Sequence, residues 1–213
     1  KGLVKIFDKE IDRVFFESYN EELKDIILTS DQKKIVEEVG NKIEKKEFEV
    51  YLLHGITGSG KTQVYIDLAK KAIEQGQDVI ILVPEISLTP QITSRFFNVF
   101  KELVTVIHSR LGLGERYDSW RGIISGKYKI VIGPRSALFA PLKNPGIIII
   151  DEEHDQSYKQ QDVTPKYNAR DAAIVRGKFS SCPVLLGSAT PSVESMYNAK
   201  TGKYKLIELP ERV

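Results

Sequence analysis

A glycine-rich stretch at residues 55–62 (GITGSGKT) has the residue types that bind phosphate groups. An apolar run precedes it and a helical pattern follows it, which is the context of a P-loop. In such a loop the glycines let backbone N–H groups close around phosphates, and the positive end of the following helix adds to their attraction. Lys61 would reach the β- and γ-phosphates, and the Thr62 hydroxyl would bind Mg²⁺. We therefore predict an ATP site formed by Gly58, Ser59, Gly60, Lys61 and Thr62.

A second stretch, residues 151–154 (DEEH), follows the apolar run 147–150 (IIII), so that carboxylates stand at the end of a buried strand. Asp151 would hold Mg²⁺ there, and Glu152 would orient and deprotonate the attacking water. The alternative is a solvated acidic turn. That alternative does not explain why the carboxylates follow a buried strand downstream of a P-loop. The predicted catalytic residues are Lys61, Asp151 and Glu152, and the predicted magnesium ligands are Thr62 and Asp151.

A third stretch, residues 187–191 (GSATP), also ends an apolar run. Taken alone, it is a turn of small residues that caps the next helix. Its interest comes from its position after the other two stretches.

The elements that must position these residues alternate along the chain. Runs rich in Val, Ile and Leu predict buried strands at 48–53, 78–83, 104–107, 129–132, 146–150 and 183–186. Helical spacing predicts helices after Asp31 (capped by Ser30 or Asp31), at 61–75, 89–100, 115–124 and 169–176, and from Ser192. This alternation predicts an α/β fold with a doubly wound, mostly parallel sheet and helices on both faces. Ligands bind such sheets at the carboxyl ends of the strands, where each stretch falls.

Composition narrows the class of protein without deciding its function. A chain of 213 residues with 41% hydrophobic and 28% charged residues can form one large globular domain. The net charge of +2 does not by itself argue for nucleic acid. The single cysteine, Cys182, lies in an apolar stretch and predicts a buried thiol and a reducing compartment. No apolar run is long enough to cross a bilayer, so no membrane is expected.

The three stretches together resemble a known family. GxxxxGKT, DExH and SAT, in this order, resemble motifs I, II and III of superfamily 2 helicases, and other segments are similar to the bacterial replication-restart helicases among them. Residues 84–91 (PEISLTPQ) resemble their motif Ia and 133–141 (GPRSALFAP) their motif Ib. Residues 151–161 (DEEHDQSYKQQ) and 167–171 (YNARD) resemble motif II and the aromatic-rich loop after it. The chain departs from the family at Asn168, where His is expected, and at Pro134, where a hydroxyl residue is common.

This resemblance implies a RecA-like P-loop NTPase fold and particular site residues. Residues 21–208 would be the first helicase lobe, 1–20 the tail of a winged-helix domain, and 209–213 the start of a linker to a second lobe. Gln32 would read adenine, although a surface glutamine near a helix start is an equal alternative. The residues that couple ATP to movement would be His154, Ser188 and Thr190. The DNA contacts would be Arg135, Ser136, Tyr158, Lys159, Tyr167 and Arg170, with packing on the domain surface as the alternative for both tyrosines.

The resemblance also implies a function. It predicts the ATP-binding lobe of a cytoplasmic bacterial DNA helicase that reloads the replication machinery at stalled forks and moves along single strands. ATP and Mg²⁺ would be the cofactors, and zinc is expected only outside this chain because one cysteine cannot form a zinc site. Single-stranded and forked DNA, replication-restart proteins and single-strand binding protein would be partners. Because the transition-state arginine would come from a second lobe, this lobe alone should bind nucleotide but hydrolyse it weakly.

Three other functions fit parts of the pattern. The first is a double-strand DNA translocase that moves without separating strands. The second is a small-molecule P-loop kinase, which would not need SAT after DExH. The third is a nucleotide-gated DNA-binding module that binds ATP without unwinding DNA. Each shares the P-loop with the helicase, so only residues outside the loop can discriminate among them.

Overall fold

A parallel sheet forms the centre of the computed structural model, which describes residues 27–84, 90–161 and 163–213. Its seven strands lie in the order β3-β4-β2-β5-β8-β1-β9, and all the pairs are parallel. A separate antiparallel pair joins β6 to β7. The strands are β1 (Val50–Gly55), β2 (Asp78–Leu82), β3 (Val104–Val106), β4 (Ile130–Gly133), β5 (Pro145–Ile150), β6 (Lys159–Gln160), β7 (Tyr167–Asn168), β8 (Val184–Ser188) and β9 (Lys205–Leu209).

Helices cover both faces of the sheet, because successive side chains of each buried strand point to opposite sides. On one face Leu53 and Ile81 pack in a core with α1, α2 and α3. On the other face Leu52 and Ile80 pack in a core with α4 and α5. The α-helices are α1 (Ser30–Lys45), α2 (Lys61–Glu74), α3 (Pro90–Phe100), α4 (Leu113–Ser125), α5 (Ala169–Ser180) and α6 (Val193–Lys200). Short 3₁₀ turns occupy Lys101–Leu103, Arg135–Phe139 and Gln156–Tyr158. The predicted doubly wound α/β fold is confirmed.

The predicted strands and helices are confirmed to within a few residues at their ends, but the sequence did not predict β6, β7 or β9. Strand β9 lies at the edge of the sheet beside β1, and only Ile207 and Leu209 of its residues are buried. A strand with so few buried residues lacks the continuous apolar run that marked the central strands. Strands β6 and β7 are each 2 residues long, too short to leave a periodic pattern.

The predicted cap of α1 is wrong. Thr29 is the N-cap, because its hydroxyl accepts a hydrogen bond from the Gln32 backbone N–H at 3.3 Å. The Gln32 side-chain oxygen in turn accepts from the Thr29 N–H at 2.9 Å. This reciprocal capping box satisfies N–H groups that a cap at Ser30 or Asp31 would leave open.

Several predictions fall on residues outside the described ranges. They are the winged-helix tail at 1–20, the start of the lobe at 21–26 and residues 85–89 of the segment that resembles motif Ia. The predicted domain boundaries therefore stay predictions. Cys182 is buried, as predicted, and burial raises the pKa of its thiol to about 12. Among the described helices, none is both long and apolar enough to cross a membrane.

Candidate nucleotide-binding site

Three neighbouring strands bring the chemistry-bearing stretches to one edge of the sheet. Strands β5, β8 and β1 lie side by side, with Ile150 paired to Leu186 and Leu53 paired to Gly187. Because the strands are parallel and in register, their carboxyl ends meet at the same edge. Residues 56–62 follow β1, residues 151–154 follow β5, and residues 189–191 follow β8.

The loop after β1 has the backbone shape of a phosphate cradle. Gly58 and Gly60 have φ angles of 83° and 79°, in the left-handed region that glycine adopts without strain. Gly60 caps α2 without a side-chain hydrogen bond, and its carbonyl accepts from the Gln63 N–H at 2.9 Å. The N–H groups at the start of α2, before Gln63, are the ones that could bind an anion. The Ser59 hydroxyl is buried and has no hydrogen-bond partner among the described residues. The loop therefore offers donors that a phosphate could satisfy.

Lys61 lies between this loop and the carboxylates that follow β5. Its ammonium group donates a hydrogen bond to the Gly55 carbonyl at 2.8 Å and lies 3.9 Å from Oε1 of Glu152. The residue is 9% exposed, so its charge acts in a partly desolvated site. A cation in this position can neutralise phosphate oxygens bound by the loop.

Two buried tyrosines fix Asp151. The Tyr65 hydroxyl donates to Oδ1 of Asp151 at 3.0 Å, and the Tyr158 hydroxyl donates to the Asp151 backbone carbonyl at 2.6 Å. Burial, and then the negative charge of Glu152, raise the pKa of the Asp151 carboxyl to about 6. A divalent cation would offset both effects, so the surroundings of Asp151 fit Mg²⁺, and Thr62 as a second protein ligand stays a prediction.

Glu152 adopts an unusual backbone conformation beside Asp151. Its φ angle is 45°, in the left-handed region, where a side chain with a Cβ atom is strained by about 1 kcal/mol or more. Adjacent bonds hold the turn, because the Glu153 N–H donates to the Gly187 carbonyl at 3.0 Å and the Asp155 N–H donates to the Glu152 carbonyl at 2.9 Å. The backbone around Glu152 is therefore fixed from the end of β8.

The predicted coupling residues lie together. Nδ1 of His154 lies 2.8 Å from the Ser188 hydroxyl, and Nε2 lies 3.4 Å from the Thr190 hydroxyl. The Thr190 N–H donates to the Ser188 hydroxyl at 3.0 Å, and His154 Nδ1 lies 3.5 Å from Oε2 of Glu152. One imidazole thus connects the turn after β8 to the carboxylate after β5.

Gln32 lies against the P-loop. Its amide nitrogen donates to the Ser59 carbonyl at 3.0 Å, while its amide oxygen accepts from Thr29, as described above. The side chain is 1% exposed. The structure therefore places Gln32 beside the predicted nucleotide site, and a contact with adenine stays a prediction.

The predicted DNA-contacting residues divide into accessible and buried groups. Ser136 and Lys159 are exposed, and Arg135 and Tyr167 are partly exposed. The Arg135 guanidinium donates to the Ser157 carbonyl at 2.9 Å, and the Tyr167 ring meets Phe139 edge-on with centroids 5.3 Å apart. All four lie on the turn after β4 or near the β6–β7 ribbon, so they form one accessible region.

Burial argues against the predicted DNA contacts of Tyr158 and Arg170. Tyr158 is 1% exposed and its ring belongs to the core between the sheet and α5, so no face can stack on a base. Arg170 is 9% exposed, and its guanidinium binds the Glu153 carboxylate at 3.1 Å. From the sequence alone, a tyrosine or arginine in a helicase-like loop is interpreted as a surface residue that contacts DNA. The burial of Tyr158 and Arg170 argues against that interpretation.

Glu153 is the residue that sequence reasoning missed. It is 2% exposed and accepts hydrogen bonds from Arg170, Ser192 and Ser195. In the sequence it is the variable position of DExH, and its acidic side chain resembles its neighbours. The presence of Arg170 and two serines near helix starts was the available signal, but only the fold shows that they converge.

Comparisons with known proteins agree with this arrangement. A family model described as "Type III restriction enzyme, res subunit" matches residues 25–193. Replication restart protein PriA of Bacillus subtilis (strain 168) is 45% identical over 217 residues, which cover 100% of this chain and 26% of that protein. PriA of Haemophilus influenzae is 49% identical over 165 residues, which cover 78% of this chain and 22% of that protein. The resemblance to replication-restart helicases is therefore confirmed, and the chain spans about a quarter of the length of these relatives.

Solved structures also match the fold. A structure of RecG bound to a three-way DNA junction has a TM-score of 0.64 and 25% identity, and the match covers 88% of this chain and 24% of RecG. The DUF1998 helicase MrfA bound to DNA has a TM-score of 0.58 and 16% identity, and the match covers 87% of this chain and 27% of MrfA. The second likeness shows the fold alone.

Proposed function

Because the chain belongs to the family described as the res subunit of type III restriction enzymes and is similar to PriA, we propose that it is the ATP-binding lobe of a DNA helicase. The helicase-like role follows from the family and the fold. The finer proposal is that ATP hydrolysis drives movement along single-stranded DNA and serves to reload the replication machinery at stalled forks. The names of the PriA relatives support the role in replication restart.

The observation that carries the proposal is the meeting of Lys61, Asp151 and His154 at one edge of the sheet. Lys61 would neutralise the phosphates bound by the loop, at a position 3.9 Å from the Glu152 carboxylate. Glu152 would accept the proton of the attacking water. His154 contacts Ser188 and lies 3.5 Å from Glu152, so a change at this carboxylate would be transmitted to the turn after β8.

Asp151 and Thr62 would hold the magnesium ion of the nucleotide. When bound, Mg²⁺ supplies charge neutralisation to the phosphates. The protein's own contribution is to fix Asp151 through the hydroxyls of Tyr65 and Tyr158 before any ligand arrives. We also propose that a second lobe of a longer protein supplies the arginine that completes the site, so that this lobe alone hydrolyses ATP weakly.

DNA would contact the accessible region formed by Arg135, Ser136, Lys159 and Tyr167. Cationic and hydroxyl side chains bind phosphates, and a partly exposed tyrosine offers a face for stacking. The DNA in the titles of the RecG and MrfA structures supports a DNA substrate. Single-stranded and forked DNA are the proposed forms, with restart proteins and single-strand binding protein as partners in the cytoplasm.

A double-strand DNA translocase is the second candidate. The family description names a restriction enzyme subunit, and motors of restriction enzymes are translocases that move on duplex DNA without separating its strands. The PriA relatives favour the helicase, because their matches cover up to the whole of this chain. The two functions share the nucleotide site and differ in what happens to the DNA strands.

A turnover experiment tests the proposal. ATP hydrolysis would be measured for this chain and for the chain extended through its natural downstream sequence, with and without single-stranded DNA. The proposal predicts nucleotide binding by both proteins, and DNA-stimulated hydrolysis and strand displacement on forked DNA only by the extended one. Stimulation by duplex DNA without strand displacement would favour the translocase. Failure of both proteins to bind nucleotide would reject the proposal.

A further inference from the structure

A buried polar cluster lies directly behind the turn at residues 151–154, which carries Asp151 and Glu152. Arg170 lies in the first turn of α5. Its Nη1 donates to Glu153 Oε2 at 3.1 Å, Ser192 Oγ at 2.7 Å and Ser195 Oγ at 3.2 Å. Both serine hydroxyls also donate to Glu153 Oε2, at 3.1 Å and 2.8 Å. The Ser192 N–H donates to Glu153 Oε1 at 2.7 Å. We name these residues, Glu153, Arg170, Ser192 and Ser195, the Glu153 cluster.

The charges of the Glu153 cluster depend on one another. The Glu153 side chain is 0% exposed and that of Arg170 is 11% exposed. Burial lowers the pKa of the Arg170 guanidinium, but the hydrogen bond and charge of Glu153 outweigh this effect and raise the pKa overall. A buried carboxylate without its cation would be strongly disfavoured. Removal of Arg170 would therefore leave the Glu153 carboxylate buried without the cation that lies 3.1 Å from it.

The cluster connects both sides of the active edge. On one side, Glu153 follows Glu152, whose backbone is held at a φ angle of 45°. On the other side, Ser192 caps α6 through its hydroxyl, which accepts from the Ser195 N–H at 3.2 Å. The turn from Ser188 to Ser192 therefore has its far end attached to Glu153 and its near end attached to His154.

We propose that Arg170 is a positioning residue for ATP hydrolysis, which acts through Glu153 to hold Glu152 and the Ser188–Ser192 turn in a fixed relative geometry. This inference rests on the proposed function for its catalytic consequence, but its structural consequence stands alone. Without Arg170, the Glu153 carboxylate leaves its site, and the contact of His154 with Ser188 is no longer held from behind. The proposed geometry couples α5, which follows the accessible loop, to the catalytic carboxylate.

A second carboxylate beside Arg170 supplies a matched control. Nε of Arg170 lies 3.4 Å from Oδ1 of Asp171, whose side chain is 64% exposed. An exposed pair of this kind contributes little, because water screens it. Asp171→Asn should therefore leave the cluster intact, while Glu153→Gln removes the buried partner of the same guanidinium.

The structural consequence can be read from histidine resonances of this chain. The sequence contains three histidines, His54, His108 and His154, so the imidazole signals are few and assignable by substitution. Arg170→Met should shift the His154 ring signals while those of His54 and His108 stay in place. Arg170→Lys keeps the positive charge but loses the several N–H donors of the guanidinium, so it should shift the His154 signals less. Asp171→Asn should not shift the His154 signals.

The catalytic consequence is that kcat should change while nucleotide affinity does not, measured in the extended protein with DNA present. Arg170→Met should lower kcat by about tenfold or more, as removal of a supporting partner does in metal sites, and leave the Kd for Mg²⁺–ADP nearly unchanged. Arg170→Lys should recover part of kcat. A loss of thermal stability without these changes would indicate a purely structural residue.

The outcomes decide the inference separately from the proposed function. If folded Arg170→Met protein keeps both the wild-type His154 signals and the wild-type kcat, the inference is overturned. If Arg170→Met does not fold, Ser195→Ala decides, because it removes one hydroxyl donor to Glu153: a smaller His154 shift supports the inference and unchanged signals overturn it. If no form of the protein hydrolyses ATP, the proposed function fails, and the His154 shift still tests the positioning role.

Discussion

The candidate nucleotide site at the carboxyl ends of β1, β5 and β8, called the nucleotide edge below, differs from the accessible region near the β6–β7 ribbon in how its polar side chains are held. At the nucleotide edge, Lys61 and Asp151 are partly or fully buried and each has protein hydrogen-bond partners. In the accessible region, Ser136 and Lys159 are exposed. A site held by its own hydrogen bonds is positioned before a ligand binds, and an exposed group becomes ordered only on binding. The first region is suited to chemistry and the second to contact with a long, variable polymer.

Two side chains, Tyr158 and Arg170, were predicted from the sequence to contact DNA in the accessible region. In the fold they lie against the nucleotide edge instead. Tyr158 and Arg170 are buried and bind Asp151 and Glu153. They connect the segment that carries Lys159 and Tyr167 to the turn at residues 151–154. The difference between the two regions can therefore be tested by substituting residues on each side of this boundary.

Lys61→Ala should have the largest effect. It removes the cation beside the phosphate-binding loop, and the affinity for Mg²⁺–ATP should fall roughly ten- to a hundredfold, because a hydrogen bond to a charged group contributes about 1.5–3 kcal/mol. Calorimetry or a fluorescent nucleotide would measure the change in Kd. Lys70→Ala is the control in the same helix, because Lys70 is 44% exposed and pairs with Asp67. Equal Kd values for both variants would contradict the assignment of the nucleotide edge.

Asp151→Asn should stabilise the protein while it weakens Mg²⁺ binding. The folded-state pKa of about 6, raised from 3.8, means that stability falls as pH rises from about 4 to about 6 and then stays level. Above that range the ionised carboxylate costs at most about 3 kcal/mol of stability. The free energy of unfolding of Asp151→Asn should therefore be about 1–3 kcal/mol higher than that of the wild type near pH 8. Urea unfolding of both proteins, near pH 4 and near pH 8, would measure it. An advantage that is larger at the lower pH would contradict this account.

Tyr158→Phe should reduce stability and leave DNA affinity unchanged. The substitution removes the hydroxyl that donates to the Asp151 carbonyl, and a lost buried hydrogen bond costs about 1–2 kcal/mol. Chemical unfolding and a DNA titration would be performed on the same variant. Tyr197→Phe is the control, because Tyr197 is 63% exposed. A clear loss of DNA affinity in Tyr158→Phe with unchanged stability would restore the tyrosine to the DNA-contacting group.

Lys159→Ala should show the smallest effect, confined to DNA. Loss of one phosphate contact should weaken binding a few-fold and reduce the slope of log affinity against log salt by about one. The melting temperature and the nucleotide Kd should not change, because the side chain is exposed. Lys203→Ala, on the exposed turn before β9, is the control. A nucleotide Kd that changes with Lys159 would show that the two regions are not separate.

The sequence placed the stretches of the nucleotide edge at strand ends correctly, because these stretches directly follow apolar runs. A run such as 147–150 locates its own carboxyl end, so Asp151 could be placed without knowing the strand order. The order β5-β8-β1, which brings the stretches together, could not be read from the sequence. Pairing between strands that are distant along the chain leaves no local pattern.

The accessible region was predicted less well for a related reason. A tyrosine or arginine outside a periodic element carries no signal for the side it faces, so Tyr158 could not be separated from Tyr167. Glu153 looked like its neighbours, although its burial depends on serines about forty residues away. Strand β9, with two buried residues, fell below the apolar pattern that identified the central strands.

Hydrogen exchange of this chain with and without a non-hydrolysable Mg²⁺–ATP analogue tests the central claim most directly. The account predicts that the analogue protects backbone amides at 56–63 and 151–155, and leaves those at 159–161 and 163–168 unprotected. Single-stranded DNA should give the reverse pattern. Protection by the nucleotide that is absent from 56–63, or that is centred on the β6–β7 ribbon, would contradict the division between a nucleotide edge and a separate DNA-contacting region.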